Sequence, residues 1–122
     1  MKIRALGIAA VVALGLAAGG ASGSSGGTVV RRPVTIRLGE YFYNPKVVTV
    51  YVGQAVRFVN VGKIEHTVAD ADAKGRIRSR LIKPRPLAHG QVQTVSFKRA
   101  GKIFYLCTFH PTLMRGRIIV VR

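Results

Sequence analysis

Tyr105-Leu106-Cys107-Thr108-Phe109-His110-Pro111-Thr112-Leu113-Met114-Arg115-Gly116 carries the only cysteine of the chain, one of its three histidines and one of its two methionines. The residues on either side, Lys102 to Cys107 and Arg117 to Val121, are rich in β-branched and aromatic side chains, so the segment reads as a loop between two strands. Cysteine offers a soft thiolate, histidine a borderline imidazole and methionine a weak thioether. With a second imidazole they make a trigonal set of two His and one Cys with a long axial ligand, which suits copper in electron transfer. Zinc held by two His and one Cys is the competing metal, and the nearby thioether favours copper. The second imidazole must come from elsewhere, and His66 in Asn60-Val61-Gly62-Lys63-Ile64-Glu65-His66-Thr67-Val68 is the candidate, 41 residues before Cys107. Taken singly, a lone Cys is ordinarily a small buried hydrophobe and a lone His a surface or hydrogen-bonded group. An exported chain with one unpaired thiol carries a reactive liability unless that thiol is occupied, and this tips the combination toward a metal.

Outward from this loop the pattern is β. Val34, Ile36 and Leu38 alternate with Thr35 and Arg37, the period of a strand with one wet face. Pro45 precedes a continuous β-branched and aromatic run from Val47 to Val52, and Gln54 to Asn60 alternates again. Further strands are expected at His66 to Ala69, Arg76 to Leu81 and Val92 to Phe97. Gly53, Gly62, Gly75, Pro84, Pro86, Gly90, Gly101 and Gly116 punctuate them. The expectation is an all-β fold over residues 34–122, an antiparallel Greek-key β-sandwich of about eight strands.

The amino terminus follows other rules. Lys2 and Arg4 precede a 17-residue apolar and small-residue run from Ala5 to Ala21, followed by Ser22-Gly23-Ser24-Ser25-Gly26-Gly27. Residues 1–23 are expected to be a cleaved secretory signal and 24–33 a flexible Gly/Ser-rich segment, placing the mature protein in the periplasm or outside the cell. The alternative, an uncleaved anchor, is disfavoured because the run is short for a membrane span. The 20 Lys and Arg, less Lys2 and Arg4, leave 18 basic against 4 acidic residues, so the mature chain carries +14. That balance points to an anionic partner, such as an acidic redox protein. A single cysteine excludes a disulfide framework, a dinuclear copper centre and an iron–sulfur cluster.

Six basic residues, Lys74, Arg76, Arg78, Arg80, Lys83 and Arg85, lie in segment 74–85. If this is a strand, its arginines face outward and Ile77 and Leu81 inward. It is then either a charged edge that resists pairing with other chains or a docking patch for an acidic partner. No aromatic residue is interleaved with the arginines, which argues against nucleic acid.

In three places the chain resembles the small blue copper proteins, or cupredoxins, of the amicyanin and plastocyanin type. These are Tyr-x-Cys-Thr-x-His-Pro followed by Met-Arg-Gly and a last strand (Tyr105 to Val121), Val-x-Phe-x-Asn ahead of His-Thr-Val (Val56 to Val68), and Gly90-Gln91 through Phe97 to Ala100-Gly101. The resemblance implies that His66, Cys107 and His110 are equatorial copper ligands and Met114 the axial one, in one mononuclear type 1 site. Met114 follows His110 by four residues, between the shorter amicyanin and the longer plastocyanin spacing. The resemblance also implies apolar residues around His110, a description that Phe109, Pro111 and Leu113 fit, with Arg115 and Arg117 at the rim. Asn60, Thr67 and Thr108 are candidates to orient the ligands, and His89 reads as a surface turn residue.

The function expected is one-electron shuttling between Cu(II) and Cu(I). The partner would be a redox protein such as a cytochrome or an oxidoreductase, and the chain would act as a monomer. Four protein ligands leave no open position for a substrate, so an enzyme is not expected. Two alternatives stand beside it: a copper carrier or buffer, and a basic module that binds polyanions on the same scaffold.

Overall fold

Side chains two residues apart in a strand share a face, so alternating runs bury one row and wet the other. The computed structural model describes residues 30–122; the expected signal 1–23 and residues 24–29 of the Gly/Ser-rich segment lie outside the described residues. The strands are β1 (Val34–Gly39), β2 (Phe42–Asn44), β3 (Val47–Tyr51), β4 (Val56–Asn60), β5 (Ala69–Ala71), β6 (Val92–Val95), β7 (Gly101–Leu106) and β8 (Arg115–Val121). Ile36 and Leu38 of β1, Val48 and Val50 of β3, Val56 and Phe58 of β4, and Ile118 and Val120 of β8 point inward. Two four-stranded sheets, in the orders β2-β1-β4-β6 and β3-β8-β7-β5, enclose one apolar cluster that also contains Cys107 and Met114. No helix among the described residues is long and apolar enough to cross a membrane.

The expected all-β sandwich forms, but its pairing is mixed. β1 runs parallel to β4 and β3 parallel to β8, while the other neighbours are antiparallel. Alternation reports which face of a strand is buried, not which way its neighbour runs. The chain leaves the first sheet after β2 and returns to it in β4, which turns β1 and β4 the same way.

The charged segment departs most from expectation. Residues 76–81 form no strand beyond a single bridge between Ile77 and Ala71, and Ile77 and Leu81 are 48% and 57% exposed rather than inward. Two aspartates explain this. Asp70 is buried and accepts the N–H groups of Leu81 and Ile82 on Oδ1, while its carbonyl accepts those of Arg78 and Ser79. Asp72 Oδ1 accepts the N–H groups of Lys74 and Arg76, and Oδ2 pairs with the guanidinium groups of Arg76 and Arg78. Local bonds of this kind compete with a sheet ladder and hold the backbone in turns. The strand expected from His66 begins only at Ala69, because His66 is tied to Leu87 by a lone bridge. β2 was not anticipated.

Three aromatic rings lock the sheets beneath the functional loops. Tyr105 packs edge-on against Tyr43 and Phe58, with centroids 4.7 and 5.3 Å apart. Gly116 faces Tyr105 across β7 and β8, and a Cβ there would overlap the tyrosine ring.

Burial pushes both phenols well above the ordinary value, yet their hydroxyls differ in partners. Tyr43 donates to the Thr67 carbonyl at 2.6 Å, whereas the Tyr105 hydroxyl has no partner among the described residues. Tyr43→Phe should therefore cost about 1–3 kcal/mol of unfolding free energy, and Tyr105→Phe should be neutral or stabilising. Equal losses in denaturant titrations would contradict that assignment. Asp72 supplies a pH test. The Arg76 N–H, reinforced by the Arg76 side chain and the Lys74 N–H, lowers its pKa from 3.8 to about 2. A carboxyl lowered on folding stabilises above its unfolded pKa, and that stability drains as pH falls through the folded value. Asp72→Asn should flatten the stability profile between pH 3.8 and about 2, and an unaltered profile would exclude this role.

Candidate metal centre

Three strands meet loops at one pole of the sandwich and bring the expected residues there. β4 leads into the loop that delivers His66, β7 ends one residue before Cys107, and β8 begins one residue after Met114. Between β7 and β8 the chain closes on itself. The N–H of Cys107 donates to the Met114 carbonyl at 3.1 Å, that of His110 to the Cys107 carbonyl at 3.1 Å, and that of Met114 to the His110 carbonyl at 3.0 Å. The four-residue step from His110 to Met114 is thus one hydrogen-bonded turn. Arg115 braces it from outside, its Nε donating to the Pro111 carbonyl at 2.6 Å.

One ligating atom from each of His66, Cys107 and His110 lies within 4.8 Å of the others. His66, Cys107 and Met114 are fully buried and His110 is half-buried. His66 Nε2 bonds to Glu40 Oε2 at 2.7 Å, whereas Nδ1 is buried and has no hydrogen-bond partner among the described residues. His110 Nδ1 lies 3.7 Å from Cys107 Sγ. A soft sulfur and two imidazole nitrogens converge here, and a buried unsatisfied nitrogen is costly unless something fills its lone pair. The donor set therefore fits a metal ion, and a thiolate with imidazoles fits copper.

The expected supporting residues do what their chemistry allows. The Thr67 N–H points at Cys107 Sγ from 3.4 Å, and Thr67 Oγ1 accepts the Thr108 N–H at 2.8 Å, joining the His66 and Cys107 segments. Buried Asn60 donates to the Ile64 and Leu87 carbonyls at 2.9 and 2.6 Å and accepts the Gly62 N–H at 2.7 Å, so it shapes the loop ahead of His66. His89 is exposed, bonds the Gly62 carbonyl at 2.8 Å and stays outside the cluster. Phe109 and Leu113 are 51% and 65% exposed beside His110.

Two participants escaped the sequence reading. Glu40, in the turn after β1, bonds the His66 ring and accepts the Lys63 N–H at 2.6 Å. The His66 bond, then the Lys63 N–H, holds its carboxyl below the ordinary value. A Cβ at Gly62 would run into that carboxylate, so the loop carries glycine where Glu40 enters. Tyr41 lies over the His110 ring with centroids 4.6 Å apart. The one available signal was scarcity, since Glu40 is one of only four acidic residues in a strongly basic chain.

Partners that orient a metal-binding imidazole typically contribute 10–100-fold in metal affinity. Glu40→Ala should weaken copper binding by about that factor, and Glu40→Gln, whose amide oxygen still accepts from Nε2–H, by less. Titration against a chelator checks this, and equal affinity in the alanine variant would rule out an orienting role.

Comparison with known proteins agrees with this geometry. Residues 31–121 match the copper binding proteins of the plastocyanin/azurin family. The amicyanin of Paracoccus versutus is 34% identical over 73 residues, 60% of this chain, which spans 53%, about half, of that protein. The purple cupredoxin from Nitrosopumilus maritimus superposes with a TM-score of 0.67 at 25% identity, covering 72% of this chain and 99% of that one. A reduced single-residue variant of amicyanin superposes with a TM-score of 0.64 at 25% identity, covering 76% and 86%. With nearly all of its described residues matched, the chain belongs to the plastocyanin/azurin family of copper binding proteins.

Proposed function

We propose that this chain carries single electrons between redox proteins, using one copper ion that His66, Cys107, His110 and Met114 would hold. The observation that carries this reading is the fully buried His66 ring, with one nitrogen committed to Glu40, the other buried without a partner among the described residues, and a ligating atom within 4.8 Å of those of Cys107 and His110. Copper bound by such a set supplies a Cu(II)/Cu(I) couple that passes one electron at a time. The remaining work belongs to the protein. Glu40 holds the His66 ring in one orientation, the Thr67 N–H tunes the charge that the sulfur donates, and the Cys107–Met114 turn fixes the spacing of the loop ligands. Four protein donors leave no place for a substrate, which supports a carrier over a catalyst.

Exposed Phe109, Leu113 and Tyr41 around half-buried His110 support that histidine as the route by which electrons arrive and leave. The +14 charge of residues beyond the expected signal supports an acidic cytochrome or oxidoreductase as partner, met by the chain as a monomer. The basic residues and apolar run ahead of Gly23 support export to the periplasm or beyond.

A visible spectrum tests the reading. The protein loaded with Cu(II) should show an intense blue thiolate-to-copper charge-transfer band that ascorbate bleaches reversibly, and Cys107→Ser should lack it. A colourless complex, or a band that survives in the serine variant, would refute the assignment and move the weight to copper carriage.

A further inference from the structure

The opposite pole of the sandwich has its own chemistry. β7 begins there, about 20 Å from Cys107 at the usual strand rise. Its first residues line a cleft of about 480 Å³. Leu81, Phe97 and Ile103 provide apolar lining, and Arg80, Lys98, Arg99 and Lys102 surround it. All four cations are exposed, and among the described residues none of them pairs with a carboxylate. The four acidic side chains lie elsewhere or are occupied. Glu40 bonds His66, exposed Glu65 precedes His66, Asp70 is buried against the N–H groups of Leu81 and Ile82, and Asp72 holds Arg76 and Arg78.

The start of the domain joins the same pole. The Gly53 N–H donates to the Phe97 carbonyl at 2.9 Å, and Gln54 Nε2 to the Arg32 carbonyl at 2.8 Å, which ties Arg32 to the turn that meets Phe97, while Arg31 lies over the Tyr51 ring.

We infer that this pole docks on an anionic phospholipid surface, the cleft taking a phosphate-bearing headgroup. Unpaired Arg and Lys groups match a phosphate and its neighbours in the membrane plane. The apolar lining suits the glycerol and first methylenes of a lipid, which a sulfated or carboxylated polymer does not offer. Docked in this way, the protein turns the His110 pole away from the membrane, toward soluble partners.

Co-sedimentation of the copper-loaded protein with vesicles tests the inference, using phosphatidylcholine alone and phosphatidylcholine mixed with phosphatidylglycerol at physiological salt. Binding is expected only with phosphatidylglycerol. Combining Lys98→Glu, Arg99→Glu and Lys102→Glu should lower it at least about tenfold. Combining Lys46→Glu, Lys63→Glu and Lys74→Glu, an equal change of charge away from the cleft, should lower it far less. Cys107→Ser should leave it unchanged, so the outcome does not depend on the metal assignment. Equal losses in the two triple variants, no binding to phosphatidylglycerol vesicles, or cleft-dependent binding of dextran sulfate without vesicle binding would each overturn it.

Discussion

The hydrogen bond between His66 Nε2 and Glu40 Oε2, at 2.7 Å, fixes an imidazole that has no exposure to solvent. Once one ring nitrogen is committed to a carboxylate, the tautomer and the plane of the ring are set, and the other nitrogen has a single direction in which to find a partner. A ligating atom of this ring lies within 4.8 Å of those of Cys107 and His110. The rest of the pole follows from holding this bond. Gly62 leaves room for the carboxylate, Lys63 donates its N–H to the second carboxylate oxygen, and Asn60 pins the intervening loop to the Leu87 carbonyl.

Sheet topology makes the bond possible. The parallel pairing of β1 with β4 sets Leu38 opposite Asn60, and the Val61 N–H continues it by donating to the Leu38 carbonyl at 2.9 Å. The turn after β1 is therefore held against the loop after β4, one carrying Glu40 and the other His66. On the second sheet, β7 and β8 are adjacent and antiparallel, so their connection is the loop that holds Cys107, His110 and Met114. Thr67 and Thr108 prolong the pairing of β5 with β7 and join the His66 and Cys107 segments by side chain and backbone beside the sulfur. The pole is a rigid seam between two sheets, as a site that changes charge without changing shape requires.

How much of this was legible follows from what each signal encodes. Alternation at Ile36, Leu38, Val56 and Phe58 reports burial directly, so the inward faces and the sandwich class were readable from the sequence. The direction of neighbouring strands leaves no mark on alternation, and the mixed pairing was missed. Glu40 was missed for the same reason, because its approach to His66 depends on β1 running parallel to β4. Segment 74–85 misled because three arginines at alternate positions imitate a strand, while the two aspartates that curl it act through backbone N–H groups that carry no pattern. The cluster itself was legible because Cys107, His110 and Met114 are rare residue types packed into eight positions.

The two poles divide the labour of the molecule. One is apolar at its surface and rich in donors beneath it, and the other is cationic around a cleft. The Glu40–His66 bond sets the first pole independently of the metal. Crystal structures of the metal-free and Cu(II) forms test it most directly. The His66 and Cys107 side chains should superpose in the two forms, with the bond from Nε2 to Glu40 intact in both. A metal-free form in which His66 turns away from Cys107, or a copper form in which it releases Glu40, would contradict it.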